Sequence, residues 1–332
     1  MLEKGVIEKG EVKQEAKLVE AIREVVLKAK GEKISAKNVA VSLPEERAFL
    51  QVLQLPRMTR EEAMHAVRFE ADSYVPYPID TVYLDFQIIS PLYNHIDHLD
   101  ILLASLPRTV VDAHIAILKK AGFTVQILET ESLSTSRALI ANGITPFPVM
   151  VADMGALHTN LSIFSGYSLR FTTSIQISSD GFTETISRTL SVDKKEAETL
   201  KQTYGLRNPR NPKQQEVFDA LIPIATDLAE QIRKYIDYYE SHASHQHLGK
   251  QANQIRRIML SGGGANLPGL PEFLAKRFRI EVVIANPWVN IFPSPLKETP
   301  ALTFAKAQQY ATVLGLALRA EQISENYENP SV

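Results

Sequence analysis

Residues 149–164, VMVADMGALHTNLSIF, restrict the fold more than any other stretch of the sequence. Val149, Met150, Val151 and Ala152 read as a buried strand that ends at Asp153. Gly155 and Ala156 supply a tight turn, after which Thr159, Leu161 and Ile163 alternate with His158, Asn160 and Ser162. Alternation with period two marks a second strand. A third strand, over 169–177, follows the Ser165-Gly166 turn. An acidic residue therefore leaves the end of a central strand beside a hairpin that contains a glycine. Such a hairpin suits a phosphate with its metal. A glycine lets backbone N–H groups approach oxygens without a Cβ in the way. A carboxylate holds Mg²⁺ through waters, because that ion sheds its hydration shell reluctantly. A structural Asp-x-Gly turn is the alternative that this stretch alone leaves open.

The length of 332 residues leads us to expect about two domains. A net charge of −2 argues against a nucleic-acid-binding face. The absence of cysteine excludes disulfides and cysteine-ligated metal and fits a reducing compartment. No apolar run reaches the ~18 residues of a membrane span, and the start MLEKGVIEKG lacks the apolar core of a secretory signal. The protein is expected to be cytoplasmic, with any membrane contact made through a partner.

Along the chain, the spacing of Leu18, Val19, Ile22, Val25 and Val26 predicts a helix over 13–30. Strands follow over 37–43 and 47–55, then a helix capped by Thr59 with Glu62 as capping-box partner. That helix must stop before Pro76 and Pro78. A strand over 81–89 precedes a polar loop with His95 and His98. Residues 99–106, 108–122, 124–128 and 132–142 then read as strand, helix, strand and helix, a mixed α/β layer. After the 149–177 meander come helices over 181–190, 193–204 and 213–241, a strand over 257–261, a helix over 268–278 and a strand over 281–285. A closing helix over 305–320 leaves a polar tail that is expected to fray.

Two further pieces carry chemistry. SGGGANLPGL, residues 261–270, brings a strand to Gly262, Gly263 and Gly264 just before a helix N-terminus. Three glycines let a flat base or a ribose lie on the backbone; a plain surface loop is the alternative. Asn266 and Pro268 look like helix-start chemistry. In AETLKQTYGL, residues 197–206, Glu198 and Lys201 stand three apart on one helix face. A solvated ion pair is the simple reading; together, the acid and the base suit two ribose hydroxyls. His242, His245 and His247 read as a solvated loop rather than a metal site. His158 reads as a packed or strand-edge residue, and Tyr235, Tyr238 and Tyr239 as packing on the long helix.

The Asp153-Gly155 hairpin, the Glu198/Lys201 helix and the Gly262-Gly263-Gly264 turn resemble, in order and spacing, the second phosphate loop, the ribose-gripping helix and the adenosine loop of the actin-like ATPases. Within that superfamily, RFEADSYVPYPIDTVYLDFQII (68–89), residues 100–139 and GGGANLPGLPEFLAKRF (262–278) are similar to PilM, the actin-like family of type IV pilus assembly. The resemblance covers nearly the whole chain. It implies an α/β, two-lobed, RNase H-like fold with the small SHS2-like extra subdomain shared with FtsA. The expected boundaries are a remnant of the first lobe at 1–36, the small subdomain at 37–98, the rest of the first lobe at 99–147 and the second lobe at 148–322. The outer subdomain of that lobe is expected at about 178–253 and a disordered tail at 323–332.

The resemblance further implies a scaffold that binds ATP with Mg²⁺ in the interlobe cleft, through Asp153, Gly155, Thr159, Glu198, Lys201, Gly262, Gly263 and Gly264. Asp153 would hold the metal, usually through water. The implied partners are the cytoplasmic N-terminal tail of PilN and the inner-membrane platform of a pilus machine, or of a related secretion or competence machine, which would place the protein peripheral to the inner membrane. Self-association is left open. The first phosphate hairpin of the family is missing at the start of this chain, so the first lobe is expected to lack two central strands, as a fragment would. Glu129 and Glu131, with Thr130 between them, lie near the place where actin-like hydrolases position water, but hydrolysis is not expected without that hairpin. An actin-like ATPase or phosphotransferase and an FtsA-like division or filament protein are the alternatives. The tail EQISENYENPSV lacks the apolar face of an FtsA membrane anchor.

Overall fold

The computed structural model describes residues 2–3, 5–31, 33–89, 97–242, 253–292, 300 and 302–328, with 323–328 by backbone alone. The expected features around His95, His245 and His247 lie outside the described residues. The chain divides into two compact units, Met1–Ser134 with Gly315–Val332, and Thr135–Leu314.

The first unit opens with a hairpin, β1 (Ile7–Glu8) and β2 (Glu11–Val12), followed by α1 (Glu15–Lys28), β3 (Asn38–Leu43) and β4 (Phe49–Pro56). Helix α2 (Arg60–Tyr74) starts at the expected capping box. Thr59 Oγ1 accepts from the Glu62 amide at 3.3 Å, and Glu62 Oε2 accepts from the Thr59 amide at 2.8 Å. Two otherwise orphaned helix donors are thereby satisfied. The unit continues through β5 (Val82–Ile89), β6 (His98–Pro107), α3 (Arg108–Ala121), β7 (Thr124–Thr130) and the start of α4 (Glu131–Leu139). Ala63, Val67 and Ala71 on α2 pack on a three-stranded antiparallel sheet of order β4-β6-β5, burying Leu53, Leu55, Ile101 and Leu103. Strands β3 and β7 form a separate parallel pair, and among the described residues no other strand joins it. Val25 and Leu27 of α1 stand exposed.

The second unit holds β8 (Thr145–Met154), β9 (Thr159–Gly166), β10 (Ser168–Ile175), α5 (Ser179–Leu190), α6 (Lys194–Thr203) and α7 (Pro212–His242). It closes with β11 (Arg257–Ser261), α8 (Leu270–Phe278), β12 (Glu281–Ile284), α9 (Phe304–Ala307) and the start of α10 (Ala311–Glu328). The five strands form one sheet of order β10-β9-β8-β11-β12, an antiparallel meander extended by two parallel strands. Met150, Ala152, Leu161, Ile163, Ile258 and Leu260 face a core completed by Phe182 and Ile186 of α5, Leu221 and Ile232 of α7, and Leu274 of α8. Each of these side chains other than Ala152 contributes about 1.5–3 kcal/mol by leaving water.

Some elements differ from the sequence expectation. Strand β8 begins at Thr145, through Pro146 and Pro148, because its pairing with β9 is interrupted between Thr145 and Val149 and needs no donor there. Helix α10 runs on to Glu328, through residues that include neither glycine nor proline after Gly315. Helix α8 starts at Leu270 with Gly269 as its cap, so Asn266 is not a helix-start residue. Its amide donates instead to Ala305 O at 2.9 Å.

Candidate functional site

The candidate site lies wholly in the second unit, at the end of β8. Asp153 pairs across the sheet with Asn160 of β9 and Ser261 of β11. Directly opposed residues project to one face, so these three side chains form a polar row. They stand on the face opposite Ala152, Leu161 and Leu260, which point into the main core. Asp153 is half-buried, while Asn160 and Ser261 are buried. The sequence pattern singled out Asp153 alone; the other two became visible only through strand register.

After Asp153 the chain turns tightly. The Gly155 amide donates to His158 O at 2.9 Å. Two carbonyls of the turn then receive the first amides of α5: Ser179 N donates to Gly155 O at 3.0 Å and Asp180 N to Ala156 O at 3.1 Å. Helix N-termini leave such donors without intrahelical partners, so the hairpin and α5 fix each other. Thr159 is fully buried and donates through Oγ1 to Ile177 O at 2.6 Å, tying the same two segments. Ser178 caps α5 by accepting from the Gly181 amide at 3.2 Å.

The glycine turn packs against the end of β8. Gly262 has φ +79°, and a Cβ there would lie 2.4 Å from Met154 O and 2.8 Å from Asp153 Oδ1. A Cβ on Gly264 would meet Met154 Cβ at 2.8 Å. Close approach to the Asp153 strand therefore accounts for two of the three glycines. A Cβ on Gly263 would meet nothing closer than Gln309 Cγ at 3.4 Å. Gly263, half-buried, is the residue of the run that meets a flexible side chain rather than backbone.

Glu198 and Lys201 of α6 form the expected pair, Nζ to Oε2 at 2.8 Å, but their surroundings are not those of a solvated pair. The Lys201 side chain is only 8% exposed. Its ammonium also donates to Ser179 O at 3.0 Å, Ser179 Oγ at 3.0 Å and Thr183 Oγ1 at 2.7 Å. Thr183 Oγ1 in turn donates to Glu198 Oε2 at 2.5 Å, and Gln202 donates to Glu198 Oε1 at 2.8 Å. Burial works to raise the Glu198 carboxyl, yet the hydrogen bonds from Lys201, Thr183 and Gln202 and the Lys201 charge leave it below the ordinary carboxylate value. Through Ser179 and Thr183 this pair is tied to α5, and through α5 to the Asp153 hairpin. The three motifs thus belong to one contiguous set of contacts.

Elsewhere, Tyr239 is buried, and burial pushes its phenol up to about 12. Tyr235 and Tyr238 both pack on Phe171 with ring centroids 5.6 Å apart. His242 stacks on Tyr238 at 4.5 Å. Among the described residues no group of three or more acidic, histidine or cysteine side chains could hold a metal ion. No helix among them is long and apolar enough to cross a membrane.

A family model described as type IV pilus assembly protein PilM matches residues 1–321. The chain belongs to the PilM family. A solved PilM-PilN type IV pilus biogenesis complex is similar to this PilM-family chain over 96% of its length and 88% of that chain, at 26% identity and a TM-score of 0.76. The cell division protein FtsA of Streptococcus pneumoniae is 29% identical over 196 residues, 56% of this chain and 42% of FtsA. MreB5 of Spiroplasma citri, in a structure bound to ADP, covers 97% of this chain and 80% of its own, at 14% identity and a TM-score of 0.59. At that identity the likeness concerns the fold alone. This is the two-lobed actin-like α/β fold, in a type IV pilus assembly protein of the PilM family. The chain spans about half the length of the curated FtsA relatives it matches.

The residues present are compatible with a bound nucleotide. Asp153 is half-buried at a strand end, Gly263 is bounded by the flexible Gln309 side chain rather than by backbone, and Glu198 retains acceptor capacity on Oε1.

Proposed function

We propose that this PilM-family chain is a cytoplasmic actin-like scaffold of type IV pilus assembly. In this reading it binds nucleotide at the Asp153 end of its second unit and captures the cytoplasmic N-terminal tail of PilN, which places it at the inner membrane. The family match over residues 1–321 carries the reading. The solved relative described as a PilM-PilN complex supports the choice of partner.

The nucleotide part is supported by the linked contacts of Asp153, Gly155, Thr159, Glu198, Lys201, Gly262, Gly263 and Gly264. When bound, ATP would supply a polyphosphate with its Mg²⁺. Asp153 would hold the ion through water, Gly263 would lie under the base or sugar, and Glu198 would accept from a ribose hydroxyl. Thr159, Gly262 and Gly264 act by holding the hairpin and the turn in place. The role proposed is that of a nucleotide-binding scaffold, and hydrolysis is not part of this reading.

The test is calorimetric titration of the protein with a peptide of the PilN N-terminal tail and with its scrambled counterpart. Saturable, micromolar binding of the tail alone is expected (about −8 kcal/mol at 1 µM). Equal or absent heats from both peptides, with the protein shown to be folded, would remove the scaffold reading.

A further inference from the structure

We propose that Thr183 and Lys201 are positioning residues that aim one oxygen of Glu198 at a ribose hydroxyl, and that Thr183 thereby sets selectivity for the sugar of the nucleotide. The inference rests on the nucleotide reading above and departs from the expectation that Glu198 and Lys201 grip the ribose together.

The argument is a count of donors and acceptors. An ammonium has three N–H donors. Lys201 Nζ has four oxygens within 3.0 Å, namely Ser179 O, Ser179 Oγ, Thr183 Oγ1 and Glu198 Oε2. The side chain is nearly buried. Lys201 has no donor left for a ligand and no open approach for one.

Glu198 differs. Its side chain is 39% exposed. Oε2 accepts from both Thr183 and Lys201, which fills its two lone pairs. Among the described residues, Oε1 accepts only from Gln202, an exposed side chain one helical turn on. One acceptor position on Oε1 therefore remains, and the two bonds on Oε2 fix the plane of the carboxylate that presents it. A fixed acceptor of this kind recognises a hydroxyl by its donor, and a sugar without that hydroxyl leaves the carboxylate unsatisfied.

Thr183 is the hinge of the arrangement. Its hydroxyl accepts from Lys201 and donates to Glu198, while its backbone belongs to α5, whose first amides are held by the Asp153 hairpin. The sugar contact is in this way referenced to the phosphate-side hairpin. Sequence spacing offers no sign of this, because Thr183 and Glu198 are 15 residues apart on different helices.

The experiment measures equilibrium binding of Mg²⁺ with ATP, 2′-deoxyATP and 3′-deoxyATP to the parent, Thr183→Val and Thr183→Ser, with circular dichroism of each as a folding control. The parent is expected to favour ATP over at least one deoxy analogue by about tenfold, the size of a lost charged hydrogen bond. Thr183→Val is expected to bind ATP only as well as that analogue. Thr183→Ser, which keeps the hydroxyl, is expected to retain the preference. A parent that binds all three equally, or a folded valine variant that discriminates as the parent does, overturns the positioning role while leaving nucleotide binding intact. A parent that binds none of the three overturns the nucleotide reading itself, and the positioning role with it. If the valine variant does not fold, Thr183→Ala, which also lacks the hydroxyl, takes its place: loss of the preference there with retention in Thr183→Ser supports the role, and retention in both overturns it.

Discussion

Replacing Gly315 by alanine is expected to destabilise the protein by about 3 kcal/mol. Gly315 lies within α10, where alanine would ordinarily be favoured by about 1 kcal/mol. Packing decides the sign. A Cβ at this position would lie 1.8 Å from Ser134 O and 2.5 Å from Ser134 C. The obstacle is the backbone of α4, so no side-chain rotation relieves it. Helix α4 or α10 must move by more than an ångström, away from the rotamers and contacts that a close-packed interior has settled into. Urea denaturation of Gly315→Ala is expected to show a clear fall in the unfolding midpoint. A midpoint equal to the parent's would show that the two helices do not approach so closely.

The second large effect is expected at the glycine turn. Gly262→Ala combines a positive φ, +79°, with contacts of 2.4 Å to Met154 O and 2.7 Å to Met154 C. With ψ at 170° this is the extended positive-φ region that is almost confined to glycine, and it alone costs a residue with a Cβ about 1–3 kcal/mol. The collision adds to it, for a total of about 3 kcal/mol. Relief would push the turn off the end of β8 and take Asp153 with it, because Asp153 Oδ1 lies 2.8 Å from the same Cβ position. Gly263→Ala is the internal control, since its Cβ would only touch the flexible Gln309 side chain at 3.4 Å. Thermal unfolding of the two variants side by side is expected to show a loss at 262 and almost none at 263. Equal losses would mean that the run is a loose surface loop after all.

The parts of this fold that were legible in the sequence are those governed by local rules. The Thr59–Glu62 capping box, the alternation in β9 and the prolines that stop α2 each have their cause within a few residues. So does the placement of Asp153 at a strand end. The errors fell where tertiary pairing overrides local signals. Pro146 and Pro148 hid the start of β8 because only the irregular β9 pairing makes them harmless. The triple glycine left a ligand surface and a plain loop both open, and the close approach of two of its members to Met154 was legible in neither. The burial of Lys201 was not legible because i, i+3 spacing says nothing of it. Its cover comes from Ser179 and Thr183, residues of another helix. Asn160 and Ser261 joined the site through register, which a single strand does not announce.

A carboxylate at the end of β8 that anchors Mg²⁺ beside bound nucleotide is the claim on which the site stands. Its most direct test is isothermal titration of Mg²⁺·ATP into the parent and into Asp153→Ala under the same salt and pH. Saturable binding by the parent, weakened at least about tenfold in the variant, is the predicted result. Indistinguishable isotherms for the two folded proteins would contradict it and leave Asp153 as a turn residue only.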